Sequence, residues 1–354
     1  MDTLTHALSG ALLARATEAS NAPSLPRRTR MAVMFWAAAF PDSDFVLRFI
    51  DPLTYLTTHR GVTHSVLLLP LWAMGLALLF QFLYRGRYSW RDFAVVCALG
   101  IGIHIAGDVI TSFGTMVFAP LSHWRAQLPV TFVIDLYFSG IIVAGLLASL
   151  RWQRSRVPAV IGLLVLVGYV AAQAILQQRA KTIGEAYVAA NGLTPAQVYA
   201  LPQPFSPFHW LLVVDQPQQY ILSYISLTRA DVRSSPSEAN VLRRVYDSYR
   251  PVEQALWQVI PRFGESAEDS AAVRTLWDSA MFTRYRQFAM FPAVYRVDLR
   301  SERTCVRFAD LRFALSGRSA PFRFAGCRAN GADDWRMYYI SDDGDGTELL
   351  HAIE

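Results

Sequence analysis

The sequence predicts an α-helical polytopic membrane domain with four to six membrane segments, followed by a soluble α+β, mainly β, C-terminal domain. Three observations carry this expectation. Apolar residues make up 53% of the 354 residues and charged residues only 17%, where soluble domains carry about 25% charged residues. Apolar runs of membrane-spanning length recur in the first half. From about residue 177 the runs stop, and short alternating segments with turn residues replace them.

Two runs, 65–84 and 157–176, are strongly apolar. Each is long enough to cross a hydrocarbon core of about 30 Å as a helix. Two more, 93–113 and 130–150, have similar length but contain His104, Asp108 and Asp135. Upstream, 4–16 and 31–40 are shorter, and length alone leaves them as short spans, re-entrant pieces or packed helices. Residues 1–178 are therefore expected to form the helical membrane domain and 179–354 a soluble extracytoplasmic one. In the latter, 180–200 reads as a polar helical connector, followed by the proline-rich turn Leu201-Pro202-Gln203-Pro204-Phe205-Ser206-Pro207. Residues 210–214 and 220–228 read as strands, 253–263 and 271–284 as helices, and 293–299, 305–315, 322–327 and 335–340 as strands.

The net charge of +5 does not imply nucleic acid as a partner, because no recognition motif accompanies it. Many basic residues instead lie between apolar runs: Arg27, Arg28 and Arg30; Arg85, Arg87 and Arg91; Arg151, Arg154 and Arg156. With alternating crossings all three clusters fall on one face, the cytoplasmic one. The first residues lack the basic region of a cleavable signal peptide, so His6 is expected to remain in the mature chain. No CxxC occurs, which argues against a thiolate zinc site. Cys305 and Cys327 are either a disulfide, as an oxidising compartment permits, or two unrelated buried thiols.

The chemistry-bearing residues form four short motifs: Asp2-Thr3-Leu4-Thr5-His6, Pro41-Asp42-Ser43-Asp44, His59-Arg60-Gly61-Val62-Thr63-His64-Ser65 and His104-Ile105-Ala106-Gly107-Asp108. On a helix, His104 and Asp108 share one face, about 5–6 Å apart at Cβ. Ionisable groups in an apolar span are costly and mark function by default, although a buried His–Asp hydrogen bond is the plainer reading. Asp42 and Asp44 repel unless a cation neutralises them; a turn or a helix cap would use them equally well. Together His6, Asp42, Asp44, His59, His64, His104 and Asp108 supply up to seven metal ligands. A mixed His/Asp set suits zinc, with manganese or iron as alternatives, and one to three ions. Arg60 is the candidate stabiliser of developing negative charge. Asp135 is the candidate to orient a ligand or accept a proton, with a structural pair to an arginine as the equal alternative. His123, His209 and His351 read as ordinary polar residues. With the arginines on one face, the candidate ligands gather towards the other.

These motifs, extended through Asp108-Val109-Ile110-Thr111, resemble the YdjM-like family of membrane-bound predicted metal-dependent hydrolases over roughly residues 1–180. A more distant likeness is to zinc-dependent phospholipase C and P1-type nucleases. The resemblance implies a helical membrane core and a hydrolase activity of undefined substrate. The resulting expectation is a multi-pass protein of the bacterial inner membrane, with lipid bilayer as its surroundings. It would hydrolyse a phosphoester or other ester (EC 3.1-like) in an amphipathic or lipid-linked substrate at the outer face. The alternatives are a metal or proton transporter, in which intramembrane His and Asp bind and release the ion, and a structural metal-binding membrane protein.

Overall fold

The computed structural model describes residues 1–18, 25–236, 238–300, 302–318, 320–332, 334–342 and 348–353. Helices dominate up to residue 190: α1 (Thr3–Ala16), α2 (Arg27–Ala39), α3 (Pro52–Thr58), α4 (Leu69–Leu83), α5 (Trp90–Val109), α6 (Leu136–Arg151) and α7 (Val157–Ala190). A 3-10 helix, Phe40–Phe49, continues directly from α2. The chain divides into two compact units, Met1–Phe45 with Thr58–Leu176, and Val46–Thr57 with Gln177–Glu354.

In the first unit, local chemistry sets the helix starts. Asp2 caps α1 by accepting from the Thr5 amide at 3.0 Å. Ser89 and Asp92 form a reciprocal capping box on α5, and Asp135 caps α6 by accepting from the Tyr137 and Phe138 amides. Such caps satisfy amides that a helix cannot pair internally. α1 is buried along most of its length. α4 exposes Leu71, Leu78, Leu79 and Phe82, and α7 exposes Ile161, Leu164, Val165 and Val167. Apolar side chains facing outwards over whole helices belong in hydrocarbon, not water.

By length and composition α5 and α7 are able to cross a membrane, and the bent pair Pro52–His64 with Leu69–Leu83 makes a third if it is one span. The expected count of four to six is finer than this. The run 65–84 yields a helix only from Leu69, because the Ser65 hydroxyl ties the Leu67 and Leu68 amides into a turn. The run 130–150 yields one only from Leu136, because Val130 and Thr131 pair with the Ile110 carbonyl outside any helix. α6 is thus apolar but only 16 residues long.

Two of the arginine clusters, 27–30 and 151–156, meet around the end of α1. Arg15 at the end of α1 donates to the carbonyls of Gln153 and Ser155 in the α6–α7 hairpin. Arg30 in α2 donates to the Ala14 carbonyl, and Arg156 to that of Glu18. His6, Asp42, His104 and Asp108 lie towards the opposite ends of α1, α2 and α5.

The second unit holds two sheets. In the first, β1 (Gln197–Pro202), β2 (His209–Asp215) and β3 (Gln219–Ser226) are antiparallel neighbours. After α8 (Val241–Asp247), β4 (Arg250–Pro251) and β5 (Gln258–Pro261) both pair with β3. Two helices, α9 (Ala267–Asp278) and α10 (Thr283–Phe288), precede the second sheet. Its strands β6 (Pro292–Leu299), β7 (Arg303–Asp310), β8 (Arg323–Ala329), β9 (Arg336–Asp342) and β10 (Glu348–Ala352) run in order as an antiparallel meander. Leu201, Leu211, Val213 and Leu222 of the first sheet pack with Phe291 and Ala293 at the start of the second.

Several boundaries differ from the sequence reading. The expected helix over 253–263 is a 3-10 turn, Val252–Gln254, followed by β5. Pro251 and Pro261 bracket it, and the β-branched pair Val259-Ile260 registers with Ile221 and Tyr220 of β3. The helix expected over 271–284 begins earlier, at a Ser266–Asp269 capping box, and ends at Asp278, where Ser279 turns extended. The strand expected over 305–315 stops at Asp310, whose carboxylate caps a 3-10 turn. The connector over 180–200 is helical only to Ala190, as a continuation of α7, and then enters β1. Cys305 and Cys327 lie opposite one another on β7 and β8 and are bonded.

Candidate metal centre

Three elements aim side chains at one point. α5 places His104 and Asp108 one turn apart on a single buried face. Beyond α2 the chain tightens into the 3-10 helix at Phe40-Pro41. With about three residues per turn, Asp42 and Asp44 there diverge instead of sharing a face. The third element is the turn from His59 to His64. Arg60 adopts a left-handed backbone, φ 60°. At Gly61 a Cβ would lie 2.6 Å from the Thr58 carbonyl oxygen, so this turn requires glycine. The turn delivers His64 into the interior, with no exposed surface.

Asp42, His64, His104 and Asp108 each offer a donor atom, and these atoms all lie within 4.8 Å of one another. The two imidazole Nε2 atoms are 3.0 Å apart. From Asp108 Oδ2 to His64 and His104 Nε2 the distances are 3.2 and 3.4 Å; from Asp42 Oδ1 to the same nitrogens both are 3.6 Å. A tetrahedral ion with ligands at about 2.0–2.1 Å sets them about 3.3–3.4 Å from one another. These five edges bracket that value, and the sixth, between the two carboxylates, lies within 4.8 Å.

The hydrogen bonds around the rings assign their tautomers. His104 Nδ1 donates to the Ala38 carbonyl at 2.6 Å, which leaves a lone pair on Nε2. The Thr63 hydroxyl donates to Asp44 Oδ2 at 3.1 Å and accepts from His64 Nδ1 at 2.9 Å, with the same consequence for His64. With both rings neutral, two lone pairs and two carboxylate oxygens converge in a largely buried space. A proton on one ring relieves one contact at a time, whereas a divalent ion satisfies all four. The residues thus fit a metal ion, and the donor on each far nitrogen is the arrangement that orients ligating histidines.

Around these four stands a second layer. His6 stacks on His104 with ring centroids 3.7 Å apart, and its Nε2 lies 3.0 Å from Asp108 Oδ1. Gly107 leaves room for it, since a Cβ there would come within 3.1 Å of the His6 ring. Arg60 Nη2 reaches Asp108 Oδ1 at 2.8 Å, Nη1 donates to Thr111 Oγ1 at 2.7 Å, and the guanidinium lies over Phe113. The Met1 amino nitrogen is 2.6 Å from the same carboxylate oxygen. Asp108 is thereby oriented, with Oδ1 towards cationic donors and Oδ2 towards the imidazoles. Asp42 is oriented likewise, its Oδ2 accepting from Thr3 Oγ1 at 2.6 Å. Asp44 accepts from His59 Nδ1, the Arg60 amide and Thr63.

Of the seven ligands expected from sequence, the fold thus gathers Asp42, His64, His104 and Asp108, and sets His6, Asp44 and His59 around them as hydrogen-bonding partners. Arg60 adjoins the centre through Asp108. Asp135 is engaged elsewhere: it caps α6 and accepts from the Tyr169 hydroxyl at 2.7 Å. Thr3, Thr63 and Thr111 are functional neighbours that sequence reasoning misses. Each lies within a motif that names a ligand, and an adjacent hydroxyl is the signal that could have found them.

The architecture defines a class: a helical membrane protein with a buried His/Asp cluster able to hold a metal ion. Within that class the chain belongs to the YdjM inner membrane protein family, which matches residues 1–180. It is also 27% identical over 192 residues to the "Uncharacterized protein YfhP" of Bacillus subtilis (strain 168). That match covers 51% of this chain and 56% of the relative, so the chain spans little more than half of that protein's length. No solved structure matches.

Proposed function

We propose that this protein is a membrane-bound metal-dependent hydrolase that cleaves a phosphoester, or another ester, in a lipid-linked or amphipathic substrate at the outer face of the inner membrane. The observation that carries the reading is the pair of imidazole lone pairs 3.0 Å apart, faced by two oriented carboxylates. The donor set suits zinc, with manganese or iron as alternatives. When bound, such an ion lowers the pKa of water towards neutrality and polarises an ester.

The chain's own residues would then divide the work. His64, His104 and Asp108 anchor the ion; all three are fully buried. Asp42, 8% exposed, is the ligand nearest solvent and marks the side of approach. Arg60 holds Asp108 and brings a fixed positive charge to the centre, which favours an anionic transition state. Exposed Val62, Val66 and Leu67 flank His64, an apolar rim that suits an amphipathic substrate. The orientation rests on the arginine end being cytoplasmic. The Cys305–Cys327 disulfide agrees with an oxidising compartment for the second unit.

One observation favours a second reading. Four protein donors complete a tetrahedron, and closed sites of this kind are commonly structural. A transporter is less favoured, because the donors gather at one end of the helices. The deciding experiment is elemental analysis of protein purified without added metal, followed by assays on phospholipid, polyprenyl phosphate and a generic phosphodiester. Metal-dependent turnover that Asp42→Asn abolishes, with the metal retained, supports the hydrolase. Fully loaded protein inert on all three substrates sinks it and leaves the structural centre.

A further inference from the structure

At the arginine end of the helical unit, away from the metal centre, α6 and α7 part to leave a groove of about 590 Å³. The helices touch at Gly145 and Gly162, where a methyl group on either residue would meet the other's α-carbon at 3.1–3.3 Å. Beside this contact the walls are Ile141, Ala144, Ala148, Ile161 and Val165, all apolar. Small residues on α6 open the space, and the hairpin at Trp152, Ser155 and Pro158 closes its end.

The hairpin is basic, and its arginines are not equivalent. Arg156 is engaged by the Glu18 carbonyl, while the neighbouring Arg15 and Arg27 share the Glu18 carboxylate. Arg151 and Arg154 are exposed, and neither pairs with a carboxylate among the described residues. The Arg151 guanidinium lies 6.0 Å from the Trp152 ring centre. Val157, Ile161 and Val165 in the groove wall are themselves exposed, so the groove opens at an apolar surface. A ligand there meets apolar walls along its length, and the hairpin that closes its end, at Trp152 and Ser155, also carries Arg151 and Arg154.

The geometry points to a binding site for one anionic phospholipid, with a hydrocarbon chain in the α6–α7 groove and its phosphate at Arg151 and Arg154. This goes beyond the proposed hydrolysis and does not depend on it. An anionic amphiphile satisfies both halves of the site, whereas a soluble anion would leave the groove unfilled and a zwitterionic lipid would bring its own cation towards the arginines. Trp152 sits between the two, where an amphipathic ring favours the boundary between hydrocarbon and headgroups. Basic residues near the membrane surface attract anionic lipids, and the attraction weakens as salt screens it.

The test uses the full-length protein in mild detergent, with phosphatidylglycerol and phosphatidylcholine of identical chains, followed by native mass spectrometry of retained lipid. Phosphatidylglycerol is expected to bind roughly tenfold more tightly, a preference that salt reduces. The double variant Arg151→Gln/Arg154→Gln should lose the preference with metal content unchanged. Ala148→Phe should fill the groove and reduce retention of phosphatidylglycerol. Equal retention of the two lipids by the unaltered protein overturns the proposal. So does a change from dimer to monomer in Ala148→Phe with lipid preference intact, which would assign the groove to a second copy of the chain. The two arginines are on the surface, so their replacement keeps the test decisive even if Ala148→Phe fails to fold.

Discussion

The two units bury charge in opposite ways. Among the described residues of the C-terminal unit, the buried carboxylates Asp247 and Asp310 each meet a guanidinium, as does the half-buried Asp298. Asp310 takes Arg312 at 2.7 Å as well as the Met290 and Phe291 amides, and Asp298 takes Arg307 at 2.7 Å. These pairs are closed: every charge has its opposite within reach. In the helical unit Asp108 has Arg60 on one oxygen only, and its other oxygen joins Asp42 against two imidazole lone pairs. Acceptors outnumber donors there. The comparison teaches that paired burial serves structure, whereas converging acceptors form a pocket able to hold an ion from outside. A buried charge left without a partner costs far more than a pair.

The strongest way to break this contrast is to remove a ligand. His104→Ala is expected to reduce bound metal from about one ion per chain to almost none, because three donors remain and the α5 anchor is lost. Elemental analysis of the purified variant measures it. Replacing Arg307 by Ala in the other unit should leave metal content unaltered; equal loss in both variants would show that the contrast is false.

A second measurement sharpens it on the C-terminal side. Burial holds His209 neutral, with the Arg229 guanidinium adding to the effect, and together they push its pKa down to about 4 despite a hydrogen bond from Nδ1 to the Pro204 carbonyl. The unfolded chain takes up this proton near pH 6.5, before the folded one does. The stability that neutral His209 lends is therefore complete above pH 6.5 and is lost as pH falls from there to about 4, by about 3 kcal/mol. Amide exchange in β2 and β3 should accelerate over that interval, and His209→Gln should flatten the profile. Exchange that is independent of pH after correction for its intrinsic rate would contradict this.

The smallest expected effect lies in the outer layer of the metal centre. Thr63→Val removes the hydroxyl that joins Asp44 to His64. Metal affinity should fall about 10-fold or somewhat more, with stoichiometry retained at saturating metal. Competition against a chelator of known affinity reads this directly. An unchanged affinity would mean that the His64 tautomer is fixed by something other than Thr63.

Much of the candidate site was legible in the sequence. His104 and Asp108 are four residues apart in an apolar run, and helical periodicity alone puts them on one face. Asp42 and His64 were visible as members of dense His/Asp motifs, but so were Asp44 and His59. Nothing in local spacing separates the two sets. Asp42 and Asp44 are two residues apart in a helical turn and so face different ways, but which of them points at the centre is decided by how the turn after Phe40 packs. Asp135 shows the converse case. A carboxylate at the start of an apolar segment reads as functional, yet the same position is where a helix needs a cap.

The sequence by itself determined the helical character of residues up to about 190, the β-rich character of the C-terminal remainder, and the separation of arginines from candidate ligands. Each is a property of composition or of a repeat a few residues long, and such properties are carried along the chain. Only the tertiary structure decided which four donors meet, which three support them, and which nitrogen of each ring faces the meeting point. Those outcomes depend on residues up to 102 positions apart, as between His6 and Asp108. The tautomers are fixed by the Ala38 carbonyl and the Thr63 hydroxyl, contacts that exist only once α2, α5 and the turn before α4 have packed together.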